Sequence, residues 1–380
     1  MTNDVSIPLF KISWDERDVE YATESITRGS YWAKGPFVSA FEEGLAEYVG
    51  TEHAIVVNSG TTALVAALHA HGIGEGDEVI VPSFTFIATA NAVRLVGARP
   101  VFADIERTTY GLDPASVREA ITDRTAAVIP VHLYGTPCRI GELVSLAEEH
   151  ELAVIEDAAE AFGAEFNGKP VGTFGDSAIL SFCQNKVLAT GEGGAVITDD
   201  AELADEVQRY RSHGRTSANY FESTGSGEYA SVGTNYRVPD VVAAIGCAQL
   251  EKVDDLITAR QQAASTMNTA FGKLPDVEVP NGMERATHVY QLYTITLPTP
   301  SHREAVIETL TNRNIASKIY WDPPVHRTTA YQDSHQEPLP ELSATNEVSS
   351  RVLSLPLYPD ISAEDTERIV RGVRDALENP

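Results

Sequence analysis

The stretch Ala54-Ile55-Val56-Val57-Asn58-Ser59-Gly60-Thr61-Thr62-Ala63 joins a short apolar run to a segment with helical periodicity. Apolar runs of this length, bounded by small or turn-forming residues, are typical of buried strands. Further runs of this kind follow at residues 78–81, 100–103, 127–131, 153–155, 178–182 and 194–198. Helical patterns lie between them at residues 61–71, 88–95, 113–120 and 140–150. This alternation predicts a layered α/β domain with a mostly parallel, seven-stranded sheet.

The loops that follow the strands are the first place to look for a site, because ligands of such sheets bind beyond the carboxyl ends of the strands. The segment Asn58-Ser59-Gly60-Thr61 places small residues and free backbone N–H groups at the start of a helix. Such a turn favours an anion, and phosphate in particular. An ordinary helix cap has the same composition, so this segment alone leaves both interpretations open.

Two further strand ends carry reactive groups. Asp157 ends an apolar strand, where a carboxylate is costly unless it pairs with a cation from the protein or from a ligand. Lys186 leaves a strand towards a glycine-rich turn at 190–194, in a chain with only seven lysines. Burial would make such an amine a usable nucleophile. A helix-capping aspartate and an ordinary surface lysine are the alternatives.

The combination of these groups is more informative than each alone. A pyridoxal phosphate site requires a phosphate cradle, an acid that keeps the ring nitrogen protonated, and an amine that forms an imine. Phe86, at the end of another strand, could stack on the pyridine ring, although core packing would also explain it. The glycines after Lys186 do not form the dinucleotide fingerprint, which argues against a nicotinamide oxidoreductase. The pattern predicts a pyridoxal phosphate enzyme.

The pattern of the chain changes after Asn235. Residues 239–271 are predicted to form one long helix with its apolar residues mostly on one side. The rest is typical of a smaller α+β domain, with segments at 288–297 and 317–320 and helices near 303–313 and 363–377. We expect a large domain over residues 1–250 and a small C-terminal domain over residues 251–380.

Composition excludes several classes of protein. The 380 residues carry a net charge of −27, which disfavours nucleic-acid binding because phosphate neutralisation needs clustered basic residues. No run approaches the roughly 20 apolar residues of a membrane span, and the first residues lack the features of a secretion signal. Cys138, Cys183 and Cys247 are odd in number and lack zinc-ligand spacing, so we expect neither a disulfide framework nor a metal site. These features predict a cytoplasmic protein.

The sequence resembles a known family over nearly its whole length. It is similar to the DegT/DnrJ/StrS-type sugar aminotransferases, which belong to the fold-type I superfamily of pyridoxal phosphate enzymes. The matching stretches are residues 35–38, 58–64, 82–90, 156–163, 181–198, 235–237 and 353–359. The resemblance implies a transfer of an amino group, with glutamate as the expected donor, to a nucleotide-linked keto sugar.

The resemblance also implies the roles of the central residues. Lys186 would form the imine with the cofactor and later move the proton between the sugar carbon and the cofactor carbon. Asp157 would pair with the pyridinium nitrogen, and Phe86 would stack on the ring. A lysine at position 186 makes the dehydratase branch of the family, which has histidine there, an unfavoured alternative.

The cofactor's phosphate would be held from two subunits if the resemblance applies. Gly60, Thr61 and Ser181 would bind it from one chain, and Asn235 would reach it from the neighbouring chain. That arrangement implies an obligate homodimer with two shared sites.

Position 160 departs from the commonest family pattern. Many members have glutamine near the cofactor's 3-hydroxyl, whereas this chain has Glu160, which resembles the perosamine-synthase-like members. This departure favours amination at the 4-position of a 4-keto-6-deoxy sugar, with a 3-aminotransferase as the alternative. His326 is a candidate for facing the substrate, and Arg215 and Arg237 are candidates for binding the diphosphate or the donor carboxylate. A non-catalytic sugar-nucleotide-binding or regulatory protein is the remaining alternative.

The excess of acidic residues predicts that the stability of the protein depends on salt concentration. We interpret it as a halophilic surface adaptation, because at 1 M salt the screening length falls to about 3 Å and self-repulsion is muted. Thermal unfolding from low to multimolar KCl should therefore show a midpoint that falls in low salt. A midpoint that does not change across this range would contradict the interpretation.

Overall fold

The structure is a computed structural model that describes residues 6–216, 227–274, 276–332 and 340–378. The strands in these ranges are β1 (His53–Val57), β2 (Glu78–Pro82), β3 (Arg99–Ala103), β4 (Thr125–Val128), β5 (Ala153–Asp157), β6 (Glu165–Phe166), β7 (Lys169–Pro170), β8 (Ser177–Ser181), β9 (Gly194–Thr198), β10 (Ala286–Thr287), β11 (Tyr293–Thr296) and β12 (Val352–Leu355). The α-helices are α1 (Glu16–Thr27), α2 (Pro36–Val49), α3 (Gly60–Ala70), α4 (Ala88–Leu95), α5 (Pro114–Ala120), α6 (Ile140–Glu149), α7 (Ala201–Tyr210), α8 (Asp240–Leu250), α9 (Val253–Phe271), α10 (Pro300–Asn312), α11 (Thr329–Gln332), α12 (Ser343–Arg351) and α13 (Ala363–Glu378). No helix within the described ranges is both long and apolar enough to cross a membrane.

The seven strands predicted from the sequence form one sheet, in the order β1-β9-β8-β5-β4-β2-β3. Strands β3, β2, β4, β5 and β8 run parallel, whereas β9 is antiparallel to both β8 and β1. The direction of β1 is therefore that of β8, and the carboxyl ends of β1, β2, β5 and β8 lie at the same edge. The prediction of an α/β fold with a mostly parallel seven-stranded sheet is confirmed.

One strand and one helix end well before the residues that the sequence predicts. The strand expected at 127–131 ends at Val128, because Pro130 has no amide hydrogen with which to continue the ladder. The single long helix expected at 239–271 is wrong, since α8 and α9 are separated at Glu251 and Lys252. Lys252 leaves the helical conformation, with φ −117° and ψ 8°, and its ammonium pairs with Asp18. Apolar periodicity alone does not reveal such a break.

The C-terminal part contains a two-stranded antiparallel sheet of β11 and β12, against which α10 and α13 pack. The segment at 317–320 is not a strand, because Lys318 makes only a single bridge, to Ser354. Helix α9 passes between two cores: Ile257 packs with the residues around β8 and β9, and Met267 packs in the C-terminal core. The division of the chain at residue 250 stays a prediction.

Strand β5 presents its last two side chains to opposite faces of the sheet, as neighbours on a strand must. Glu156 is completely buried and points to the face of the sheet opposite Asp157. Its Oε2 accepts hydrogen bonds from His132 Nε2 at 2.9 Å and from the Gly172 amide at 2.8 Å, and its Oε1 accepts one from the Gly175 amide at 2.8 Å. His132 Nε2 is the donor because its Nδ1 accepts a backbone N–H. Glu156 thereby fastens the loop after β4 and the turn before β8 to the sheet.

The Glu156→Gln variant should be less stable by about 2–4 kcal/mol at neutral pH, because an amide cannot accept this set of hydrogen bonds. Burial opposes ionisation of Glu156, but the hydrogen bonds from His132 and the backbone amides lower its pKa below the ordinary value of 4.5. A lowered folded-state pKa gives stability that is present above the unfolded-state value and is lost as the pH falls through the folded-state value.

Urea unfolding of both proteins from neutral to acidic pH measures this difference. Glu149→Gln is a matched control, since the side chain of Glu149 is 57% exposed and pairs with Arg118 at the surface. A Glu156→Gln protein as stable as the wild type at neutral pH would contradict the assignment.

Candidate active site

A cavity of about 470 Å³ opens beyond the carboxyl ends of β1, β2, β5 and β8. Residues that end or follow these strands line it, namely Ser59, Gly60, Thr61, Thr85, Phe86, Asp157, Glu160, Ser181 and Lys186. The C-terminal part of the chain contributes Tyr320 and Trp321 to its wall. The structure thus brings together the residues that the sequence predicts for a phosphate cradle, an acid, a reactive amine and a stacking ring.

The start of α3 forms one end of the cavity. Ser59 caps the helix, since its hydroxyl accepts a hydrogen bond from the Thr62 amide at 3.1 Å. The first amides of a helix have no partner inside the helix, which leaves those of Gly60 and Thr61 available to a ligand. A Cβ atom at Gly60 would lie 2.9 Å from Cβ of Ser181, so only glycine lets the helix start approach the end of β8 this closely. Two amides and the Ser181 hydroxyl suit an anion such as phosphate.

Asp157 lies at the end of β5 and is 5% exposed. Its Oδ2 accepts a hydrogen bond from the Thr89 hydroxyl at 2.9 Å, and its Oδ1 accepts one from the Ala159 amide at 3.2 Å. These donors are neutral, and burial raises the pKa of the Asp157 carboxyl above its ordinary value. A carboxylate in this position would be stabilised by a cationic N–H group in the cavity.

Lys186 follows β8 on a tight loop, and its side chain is 13% exposed. Its Nζ lies 3.2 Å from Oε1 of Glu160, whose other oxygen accepts a hydrogen bond from the Tyr134 amide at 3.0 Å. The loop is held by the Lys186 amide, which donates to the Cys183 carbonyl at 2.8 Å, and by Gln291 Nε2, which donates to the carbonyl of the preceding residue at 2.5 Å. The amine is therefore fixed in the cavity by a carboxylate that is itself held in place.

Aromatic side chains cover the open side of these polar groups. Phe86 is 55% exposed although it lines the cavity, and its ring centroid lies 6.3 Å from that of Trp321. An exposed phenylalanine above a cavity is available to stack on a planar ligand.

Four predicted site residues do not line the cavity of their own chain. His326 is 1% exposed and its Nδ1 lies 2.5 Å from the Ser83 hydroxyl, so the expectation of a substrate-facing histidine is corrected to that of a buried one. Asn235 is exposed, and Arg237 donates to the Ser212 hydroxyl at 3.2 Å. Arg215 donates to the Ser212 carbonyl at 3.1 Å. Among the described residues, no group of three or more His, Cys, Asp or Glu side chains could hold a metal ion.

Two of the residues that sequence reasoning missed hold the carboxylates of the site. The Thr89 hydroxyl donates to Asp157. Two threonines four residues apart at the start of a helix, Thr85 and Thr89, were a usable signal, and in the structure their hydroxyls lie 3.1 Å apart. Tyr134 holds Glu160 through its backbone amide. That contact depends on a positive φ of 59°, which nothing in the sequence around Tyr134 indicates.

Comparison with known proteins agrees with this geometry. The model of the DegT/DnrJ/EryC1/StrS aminotransferase family matches residues 13–374. The chain is 35% identical to a GDP-perosamine synthase of Escherichia coli O157:H7, over 97% of this chain and 98% of that one. It is 39% identical to a UDP-N-acetyl-3-dehydro-α-D-glucosamine 3-aminotransferase of Acidithiobacillus ferrooxidans, over 89% and 88%. The crystal structure of S. venezuelae DesV in complex with a ketimine intermediate superposes with a TM-score of 0.90, at 34% identity, and covers 98% of this chain and 99% of that one.

The chain therefore belongs to the DegT/DnrJ/EryC1/StrS aminotransferase family. It is an enzyme that depends on pyridoxal phosphate, as the sequence predicts. The cavity fits that cofactor, because it combines an anion-binding helix start, a buried carboxylate whose hydrogen-bond donors are neutral, and a fixed amine.

The Asp157→Asn variant tests the electrostatics of the site. Because the folded-state pKa of Asp157 is raised, its ionised form opposes folding of the cofactor-free protein at neutral pH. The cofactor-free variant should unfold about 1–2 °C higher than the wild type at pH 7. This difference should shrink as the pH falls through the raised folded-state pKa of Asp157 and vanish below the ordinary value of 3.8. Turnover should fall by at least about 100-fold, because asparagine does not keep a ring nitrogen protonated.

Thermal melts with and without pyridoxal phosphate, repeated from neutral to acidic pH, measure the change in stability, and an assay of amino-group transfer measures turnover. Asp360→Asn is the control, since the side chain of Asp360 is 72% exposed. An Asp157→Asn protein that gains as much stability from the cofactor as the wild type would remove Asp157 from the site.

Proposed function

We propose that the enzyme transfers an amino group from glutamate to the C4 keto carbon of a nucleotide-linked 4-keto-6-deoxy sugar. The observation that carries this proposal is the Lys186 amine, held 3.2 Å from Glu160 in a cavity that also contains the buried carboxylate of Asp157. Bound pyridoxal phosphate supplies the electron sink that stabilises a carbanion next to the reacting nitrogen.

The residues of the chain then divide the work. Lys186 Nζ takes the proton from the α-carbon of the amino acid in the first half-reaction and delivers a proton to C4 of the sugar in the second. Glu160 accepts a hydrogen bond from this amine and orients it. Asp157 holds the proton on the ring nitrogen, and Phe86 covers the ring face. Gly60, Thr61 and Ser181 hold the phosphate.

A basic cluster outside the cavity is our candidate for the anionic parts of the substrates. The pKa of Arg237 is lowered by its partial burial and by the neighbouring charges of Arg215 and Arg211. On a protein with a net charge of −27, such a concentration of guanidinium groups favours a diphosphate or a carboxylate at this surface. Arg215 and Arg237 are the proposed contacts.

The active unit we propose is a homodimer in which Asn235 reaches the phosphate in the partner's cavity. Two features support it. Asn235 is exposed and lies outside the cavity of its own chain. In addition, Trp14, Val19 and Ile26 on and beside α1 are 69%, 55% and 53% exposed, and a second chain would cover such apolar side chains.

The proposed location is a salt-rich cytoplasm. Cys138, Cys183 and Cys247 are free thiols, as a reducing compartment favours. The large excess of acidic residues supports a salt-rich environment.

The position of the new amino group decides between C4 and C3. Purified enzyme, glutamate and a panel of GDP-, dTDP- and UDP-linked 4-keto-6-deoxy sugars should give one amino sugar for each glutamate consumed, with nitrogen on C4 by NMR. The 39% identical 3-aminotransferase makes nitrogen on C3 the competing result. A C3 product would overturn the regiochemistry, and product without glutamate consumption would overturn the transamination.

Mixing two inactive variants tests the shared site. Lys186→Ala and Asn235→Ala remove groups that the proposal places in one site but on different chains. After the two proteins exchange subunits at equal amounts, half of the dimers are mixed and each has one intact site, so about a quarter of the wild-type activity should return. If no activity returns while exchange is shown by mass, Asn235 does not act across the interface.

A further inference from the structure

Tyr134 does not line the cavity, yet it contacts three parts of its wall. Its backbone amide donates to Oε2 of Glu160 at 3.0 Å. Its hydroxyl donates to the carbonyl of Tyr320, and its ring stacks on the indole of Trp321 with centroids 6.0 Å apart and planes 16° apart. Glu160 bonds to Lys186, and both Tyr320 and Trp321 line the cavity. One residue, through its backbone amide and its side chain, thus joins the lysine's partner to the aromatic wall.

The conformation of Tyr134 is fixed from every side. It is 2% exposed and adopts φ 59°, a left-handed conformation that costs a bulky residue free energy and persists only where the surroundings enforce it. Its carbonyl accepts a hydrogen bond from the Leu292 amide at 3.1 Å. The rings of Phe84 and Tyr110 pack edge-on against it, at 6.2 Å and 5.7 Å.

The wall that Tyr134 supports differs in chemistry from the rest of the cavity. Trp321 presents an uncharged aromatic surface, whereas Asp157, Glu160 and Lys186 present charge. The two carboxylates of glutamate gain little from an aromatic surface. The apolar C–H face of a 6-deoxy pyranose gains contact area from it. The chemistry of the wall therefore suits the sugar better than it suits the amino acid.

We propose that Tyr134 is a positioning residue that sets the Tyr320–Trp321 wall at the distance from Lys186 that the sugar ring requires. It thereby determines specificity for the sugar acceptor. This inference rests on the proposed function and adds the residue that controls the acceptor half of it.

The Tyr134→Phe variant tests the inference, because it removes only the hydroxyl that holds the Tyr320 carbonyl. We expect KM for the keto sugar to rise about fivefold, the equivalent of one lost hydrogen bond. The rate at which glutamate alone bleaches the visible absorbance of the holoenzyme should stay within about twofold of the wild type. A residue that only stabilises the fold would change both half-reactions together or neither.

Matched variants complete the experiment. Tyr110→Phe removes a hydroxyl from the same aromatic cluster. That hydroxyl bonds to Thr296 Oγ1 at 2.9 Å and not to the wall, so its loss should leave both half-reactions unchanged. Trp321→Phe should raise KM for the sugar as Tyr134→Phe does, and the double variant should be less than additive.

Each other result has a defined meaning. An unchanged KM for the sugar in Tyr134→Phe, an equal loss in both half-reactions, or full additivity with Trp321→Phe would overturn the inference. If Tyr134→Phe does not fold, an unchanged sugar KM in Trp321→Phe overturns it instead. A wild type that does not react with glutamate would instead overturn the proposed function.

Discussion

A carboxylate buried at the end of a sheet is the constraint on which the rest of this structure depends. Strand β5 places Asp157 in the cavity. The Thr89 hydroxyl and a backbone amide donate hydrogen bonds to the Asp157 carboxylate, and burial raises the pKa of this group. A protein retains such a group when a ligand supplies the missing cation. The arrangement around it follows the same logic, because the start of α3 offers an anion site and the Lys186 amine is held by Glu160. On the other face of β5, Glu156 uses the same strand to fix the neighbouring loops.

The sequence predicts the parts of this arrangement that depend on local pattern. Buried strands appear as apolar runs, and their ends mark the carboxyl edge of a parallel sheet, so Gly60, Asp157, Ser181 and Lys186 are predicted to meet and do meet. Contacts between distant segments have no such signal. The break between α8 and α9 coincides with an ion pair between Lys252 and Asp18, 234 residues away. Glu160 is held by the backbone amide of Tyr134, whose φ is positive. His326 is buried where it contacts Ser83.

The molecule is acidic overall but has a local group of basic side chains. The chain carries a large acidic excess, from which the sequence predicts that stability depends on salt. Within that acidic background, partial burial and the neighbouring charges of Arg215 and Arg211 lower the pKa of Arg237. Arg211 is paired with Glu42, and we propose that an anionic ligand offsets the charges of Arg215 and Arg237. Such a local basic surface is how we propose that an acidic protein binds an anionic sugar nucleotide.

The central claim is that Lys186 is the amine that bonds to pyridoxal phosphate. It is tested most directly by reducing the cofactor-loaded protein with borohydride and mapping the labelled peptide by mass spectrometry. The account predicts a single label, on Lys186, which disappears when glutamate is added before the reduction. A label on another of the seven lysines, or no label on a protein shown to be folded, would contradict it.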